Sequence, residues 1–222
     1  MAAIHEQFEA EIRRLTKPLN RQFPRPWMTN LLDALTAKLF IVGRNQATIY
    51  PSDKLTHEEH LDALFNRPPA FCSELYKKMR DGRASPTRRN ICVLRGILER
   101  EGIDGILETN VVCYGTRRFR DLSLPEHKGG RERGEEIFRT LRRLVNPKVL
   151  IAHGSGTGKD LGKFLAQALP APPPEYAAPQ PIFVDGMTVF VIRSLAPPEW
   201  SKWCGWAEPY LTEVARAAAL AL

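Results

Sequence analysis

No stretch of this 222-residue chain is long and apolar enough to cross a bilayer. A spanning helix takes roughly 18 or more consecutive apolar residues, and the strongest apolar run, Lys148 to His153, is strand-sized. Met1 to Arg14 is polar and charged where a signal peptide would be apolar, so secretion is not expected. Cysteine is scarce and scattered: Cys72, Cys92, Cys113 and Cys204 form neither a C-x-x-C pair nor a Cys/His set at finger spacing. A zinc site or a cysteine-ligated iron–sulfur cluster therefore has no support, and four reduced thiols, mostly packed as small hydrophobes, are expected. There is no internal repeat, and 43% hydrophobic with 26% charged residues excludes collagen-like and disordered classes. The length suffices for one domain with its own core.

Positive charge is what the chain does have. Lys and Arg number 32 against 25 Asp and Glu, a formal charge of +7. The excess is uneven: Arg80, Arg83, Arg88 and Arg89 crowd one stretch, and Arg117, Arg118, Arg120, Lys128, Arg131 and Arg133 another. Such clusters neutralise phosphates and release counterions, which suits a nucleic-acid partner. A solvated surface accounts for the same charge, and charge alone does not separate the two.

Apolar periodicity predicts an α/β domain. Helical patterns run through Ile4 to Leu15 and Trp27 to Leu39, the second with Pro26 near its start, forming a 1–37 N-terminal helical region. Strand-length apolar runs follow at Lys38 to Gly43, Gly105 to Val112, Lys148 to His153 and Thr188 to Arg193. Between them lie helical patterns at His57 to Phe65, Phe71 to Asp81, Pro86 to Glu101 and Arg131 to Val145. Runs apolar on both faces and separated by crossover helices require a buried, mainly parallel sheet. The expected architecture is a three-layer α/β/α sandwich around four strands, with ligand loops on one sheet edge. Residues 169–181 hold six prolines and read as a surface connection. Asp185-Gly186 between Ile182–Val184 and Met187–Ile192 reads as a hairpin turn, and Pro209 to Leu222 as a closing helix.

The run from His153 to Asp160 imitates a nucleotide-binding loop. That loop needs glycine where His153 stands and a Ser or Thr where Asp160 stands, since the hydroxyl holds magnesium. A P-loop-like nucleotide hydrolase is therefore a minor alternative. A glycine-rich turn entering a helix still offers backbone N–H groups to an anion, and Gly154, Ser155 and Lys159 are candidates to hold a DNA phosphate.

The other strand ends carry more. The first ends Gly43-Arg44-Asn45-Gln46-Ala47; then come Pro68-Pro69 and Leu75-Tyr76-Lys77, Thr109-Asn110-Val111-Val112, and Pro147-Lys148-Val149-Leu150-Ile151-Ala152-His153-Gly154. In this order they resemble the uracil-DNA glycosylase superfamily, from roughly Leu39 to the end. That family's first motif is a strand ending in Gly, any residue, then Asp or Asn, usually followed by Pro; Gln46 replaces the proline here. Its last motif is usually His-Pro-Ser, whose histidine stabilises the departing uracil anion. Here the region reads Ile192-Arg193-Ser194-Leu195-Ala196-Pro197-Pro198, without a histidine, and one register puts Arg193 in its place.

The resemblance implies a single monomeric domain over residues 1–222 that needs no metal or cofactor. It would hydrolyse the N-glycosidic bond of uracil in DNA inside the cell (on the nucleoid, in a bacterium), leaving an abasic site and free uracil. Such an enzyme must extrude the base, read its edge, stabilise the leaving anion and place a water under C1′. Asn45 takes the catalytic slot as a water-positioner, since an amide orients a water but cannot take its proton; its bland role is to cap the following turn. Asn110 can pair with uracil O4 and N3–H at once, a pattern cytosine reverses. Gly43, Arg44 and Gln46 complete the uracil-binding set with Phe71, which could stack on the base; Phe65 is the reserve. Arg193 would stabilise the anion by its permanent charge. Ser194, Leu195 and Trp200 would meet DNA, with Leu195 or Trp200 as the apolar wedge. At least two of Trp200, Trp203 and Trp206 are expected to pack beneath the last helix. Arg117 and Arg118 would contact phosphates. The rival reading is a catalytically impaired DNA-binding relative.

Overall fold

The computed structural model describes residues 2–222. In chain order its main elements are α1 (Ala2–Leu15), β1 (Leu39–Gln46), α2 (His57–Leu64), α3 (Cys72–Lys78), α4 (Pro86–Arg100) and β2 (Ile106–Gly115). There follow α5 (Gly130–Val145), β3 (Val149–His153), α6 (Ser155–Phe164), β4 (Ile182–Val184), β5 (Met187–Ile192) and α7 (Cys204–Ala219). The strands form one mainly parallel sheet in the order β2-β1-β3-β5-β4, flanked by helices: an α/β sandwich. β1 runs parallel to β3 with Leu39 opposite Val149, and β3 parallel to β5 with His153 opposite Ile192. These central strands are buried along almost their whole length, the pattern a parallel sheet covered on both faces demands.

The sheet has five strands where four were expected. The fifth is β4, the first arm of the hairpin at Asp185-Gly186, antiparallel to β5 with Val184 opposite Met187. Asp185 (φ 50°) and Gly186 (φ 77°) both sit in the left-handed region. That is the geometry of a primed turn, whose twist matches the strands it joins and so allows immediate pairing.

A second correction concerns Trp27 to Leu39, which is not an α-helix. Residues 22–29 are buried and extended, and only Ala34–Thr36 turns, as a 3-10 helix. Pro24 and Pro26 withhold N–H donors, and Met28 exchanges both backbone hydrogen bonds with Glu108 of β2 (2.8 and 2.9 Å). The Trp27 indole donates to the Leu64 carbonyl (2.9 Å), and Asn66 binds the carbonyls of Thr29 and Leu31. The apolar residues up to Thr29 thus serve an extended, buried stretch, and those beyond it a partly exposed turn, not one face of a helix.

Contacts group the chain into two compact units. The first holds the chain up to Ala37, Arg44–Arg83 and Leu107–Asn146; the second holds Lys38–Gly43, Ala84–Ile106 and Pro147–Leu222. In the second, α4 and α7 pack together over a contiguous apolar core that includes Leu39, Ile41, Leu94, Val149, Ile151, Ile192, Trp203 and Leu211. Burial at about 25 cal/mol per Å² makes this core the unit's main source of stability. In the first, α1 packs on α5 and α2 on α3. Helix α5 lies close over β2, because a Cβ at Gly134 would stand 2.7 Å from Val112 Cγ1 and 2.8 Å from the Cys113 amide nitrogen.

Candidate functional site

In the first unit the end of β1 and the end of β2 bring three candidates together. The Thr116 N–H donates to the Gln46 carbonyl at 3.1 Å, which ties the residue after β2 to the end of β1. The Asn45 side-chain amide donates through Nδ2 to Thr116 Oγ1 at 2.8 Å, with Thr116 O at 3.4 Å. Thr116 Oγ1 donates in turn to the Arg118 carbonyl at 2.9 Å. A backbone carbonyl only accepts, and a hydroxyl whose proton goes to Arg118 can only accept from Asn45. Both neighbours of the amide are thus acceptors, which fixes its nitrogen toward Thr116. The half-exposed Asn45 has no described partner for its Oδ1. Asn45 does not cap the turn that follows.

Gln46 is buried, and the orientation of its amide that satisfies both of its polar atoms has the nitrogen donating to the Arg25 carbonyl and the oxygen accepting from the Arg25 N–H, both at 3.1 Å. Its side chain is therefore already engaged within the fold, and its contribution to a ligand is confined to the backbone. The half-exposed Asn110 amide lies 3.4 Å from that of Gln46. Gly43 is buried in β1. The Arg44 guanidinium lies 3.5 Å from the Phe119 ring centroid, with Arg131 at 5.5 Å, so two cations flank one aromatic ring. That ring anchors the 3-10 turn Phe119–Ser123, whose start is closed by Asp121 accepting from the Arg118 N–H at 2.9 Å. Arg117, Arg118 and Arg120 are exposed along this loop. Phe71, at 37% exposure, is not a core residue; it begins α3 with its ring accessible. Phe65 is occupied otherwise, packed edge-on against Phe8 and Trp27.

The interior of the same unit sets polar groups among its apolar ones. Arg25 is buried, with its guanidinium over the rings of Tyr50 and Tyr76 and donating to the Tyr50 hydroxyl at 3.3 Å. His60 is fully buried with no hydrogen bond to either ring nitrogen, and burial pushes its pKa down to about 3. Burial pushes the Cys72 thiol up to about 12 and the Cys113 thiol up to about 11, so neither is a nucleophile at neutral pH. A crevice with no room for a water molecule lies among Arg25, Trp27, Tyr50, Leu64 and Cys72. No group of three or more His, Cys, Asp or Glu among the described residues is placed to hold a metal ion. No helix among them is long and apolar enough to cross a membrane.

In the second unit, the residues after β3 and β5 hold the remaining candidates. Helix α6 begins at Ser155, directly after Gly154 (φ 94°), so the glycine-rich run is the helix's first turns and forms no phosphate-cradling loop. Gly154 is buried, with Ser194 Cβ 3.4 Å from where its own Cβ would be, while Ser155 and Lys159 are exposed. Leu195 is fully buried in the apolar core and its carbonyl accepts from Asn90 at 2.7 Å. A side chain held there is not an exposed wedge, and the other wedge candidate, Trp200, is partly buried and packs on the same core against Trp203. Trp203 is fully buried with its indole donating to the Ser194 carbonyl at 3.0 Å, and Trp206 packs on the same core, as expected of the tryptophans.

Arg193 is already engaged. Its guanidinium donates to the Glu199 carboxylate and to the Pro174 carbonyl and lies 5.9 Å from the Trp206 ring centroid. The pair holds the Glu199 carboxyl below its ordinary range, and Lys202 adds to the effect. Arg193 thus ties the proline-rich connection and the loop after β5 to one point. His153, at the end of β3, keeps a buried Nδ1 without a hydrogen-bond partner, and burial with the Arg88 charge lowers its pKa to about 4.

Sequence reasoning passed over Thr116, Phe119 and Asn90. Thr116 carried a signal, a hydroxyl residue at a strand end just before an arginine pair, but its partner lies 71 residues earlier in the chain. No protein-family model matches the chain, and no curated protein matches it in sequence.

Proposed function

We propose that the protein removes uracil from DNA by hydrolysing its N-glycosidic bond. The observation that carries this reading is the Asn45 amide, anchored through its nitrogen with its carbonyl oxygen left over at the end of β1. Such an oxygen accepts one proton of a water and thereby aims the water's lone pair at an electrophilic carbon; it takes no proton itself. That suits a reaction whose oxocarbenium-like sugar needs a positioned water more than a strong base.

Further support comes from the surroundings. Asn110 retains amide atoms beyond its one long contact with Gln46, enough to meet the O4 and N3–H of uracil. The exposed ring of Phe71 offers a stacking surface, and the exposed arginines 117, 118 and 120 follow Thr116 directly in the chain. The ordered motifs resembling the uracil-DNA glycosylase superfamily fall on β1, β2 and β3. The charge on Arg193 is matched by Glu199.

The same engaged arginine, together with the missing histidine, favours the second reading, a DNA-binding relative without chemistry. One experiment decides. The protein is incubated with an oligonucleotide carrying a single uracil, then treated with alkali. Scission at the uracil is the expected result; retarded migration of the oligonucleotide without scission would establish the binder instead.

A further inference from the structure

We infer that Thr116 is the positioning residue of the proposed reaction, and that it couples the arginine loop to Asn45; the inference rests on the glycosylase reading. Thr116 is fully buried, yet all of its polar atoms are directed at functional neighbours. Its N–H holds Gln46, its Oγ1 accepts from Asn45 at 2.8 Å, and the proton of that same Oγ1 goes to the carbonyl of Arg118 at 2.9 Å.

This chain of bonds has a direction. Because Arg118 supplies a carbonyl, Thr116 must donate to it; because Thr116 donates there, it must accept from Asn45; because Asn45 donates there, its acceptor oxygen must point away. Reversal of any link would set two acceptors or two donors against each other. Without the link, the Asn45 amide could turn over and present N–H groups where the water needs an acceptor. The Arg118 carbonyl belongs to the loop of exposed arginines, anchored by Phe119 between Arg44 and Arg131. A phosphate drawn to that loop therefore bears on the atom that orients Asn45, one hydroxyl away.

A purely structural threonine would need its shape, whereas a positioning threonine needs its hydroxyl. Thr116→Val keeps the shape and removes the hydroxyl; Thr116→Ser keeps the hydroxyl. The single-turnover rate of uracil release from a duplex oligonucleotide should fall about 10- to 100-fold in Thr116→Val. Thr116→Ser should stay within about threefold of the unaltered protein, and DNA affinity should change little in either. If Thr116→Val does not fold, Thr116→Ala replaces it with the same expectation. In the Asn45→Ala background, the Thr116→Val change should have no further effect, since the group it orients is gone. Equal losses in the Val and Ser variants, an unchanged rate in Thr116→Val, or full additivity with Asn45→Ala would each overturn the inference. An unaltered protein that releases no uracil would overturn the underlying reading instead.

Discussion

Behind β3 and β5 the second unit buries Leu39, Ile41, Ile151, Ile192, Trp203 and Leu211, and its buried polar residues among those described are Thr157 and Asp160. The first unit also buries apolar residues, Phe23, Tyr50, Leu75, Phe138 and Leu141 among them, but sets Gln22, Arg25, Thr29, Gln46, His60, Asn66, Glu108, Thr109 and Thr116 between them. An apolar core holds its shape through many weak, undirected contacts. A polar interior holds particular atoms in particular directions, because each hydrogen bond fixes a donor, an acceptor and an angle. The amides whose orientation matters for the proposed chemistry, Asn45 and Asn110, lie in the unit that buries more polar groups. The division predicts that the second unit responds to lost volume, and the first to lost direction, close packing or a change in protonation.

The largest expected effect is on the apolar side. Trp203→Ala should destabilise the protein by about 3–5 kcal/mol in urea unfolding, the usual cost of emptying a buried aromatic site. A loss below about 1 kcal/mol would show that the core carries less than the comparison assigns to it. In the first unit, Gly134→Ala should cost about 1–3 kcal/mol in the same measurement, since the new methyl meets the β2 backbone and α5 must move. An unchanged melting temperature would mean that α5 has room to shift.

Protonation comes next. His60 stays neutral in the folded protein down to about pH 3, whereas in the unfolded chain it takes a proton near pH 6.5. Its contribution is therefore fully present above about pH 6.5 and is lost progressively as pH falls toward 3, by up to about 2 kcal/mol at pH 5. His60→Leu should reduce the decline in stability between pH 8 and pH 5, leaving a slope of similar size due to His153, with a further part from His57, whose pKa values are also lowered by burial. An identical slope in the variant would remove His60 from the account. The smallest effect belongs to the ion pair: Arg193→Gln should cost about 1 kcal/mol or less. It should nevertheless speed proteolysis within residues 169–181, which lose the anchor at Pro174.

The same contrast explains which features were legible from the sequence. Helices α2, α3, α4 and α5 and the central strands declare themselves because each buries one face or two, and periodicity records that directly. The segment Trp27 to Leu39 misleads because its apolar spacing counts as helical, while the pairing of Met28 with Glu108 that makes its start extended is a long-range fact. Leu195 followed the resemblance into the role of a wedge, but its place in the core is set by α4 and α7. Asn45 and Asn110 were legible as residue types in an ordered motif. Their orientations were not, because that of Asn45 depends on Thr116, and a hydroxyl or amide looks the same in sequence whether it faces water or a partner.

The central claim is that the free oxygen of Asn45 aligns the attacking water. It is tested most directly by the single-turnover rate of uracil release in Asn45→Ala at saturating DNA, with DNA affinity measured alongside. The account predicts a fall of about 100-fold or more, the scale of losing one positioned polar group at a reacting centre, with affinity nearly unchanged. A variant that releases uracil as fast as the unaltered protein would contradict it.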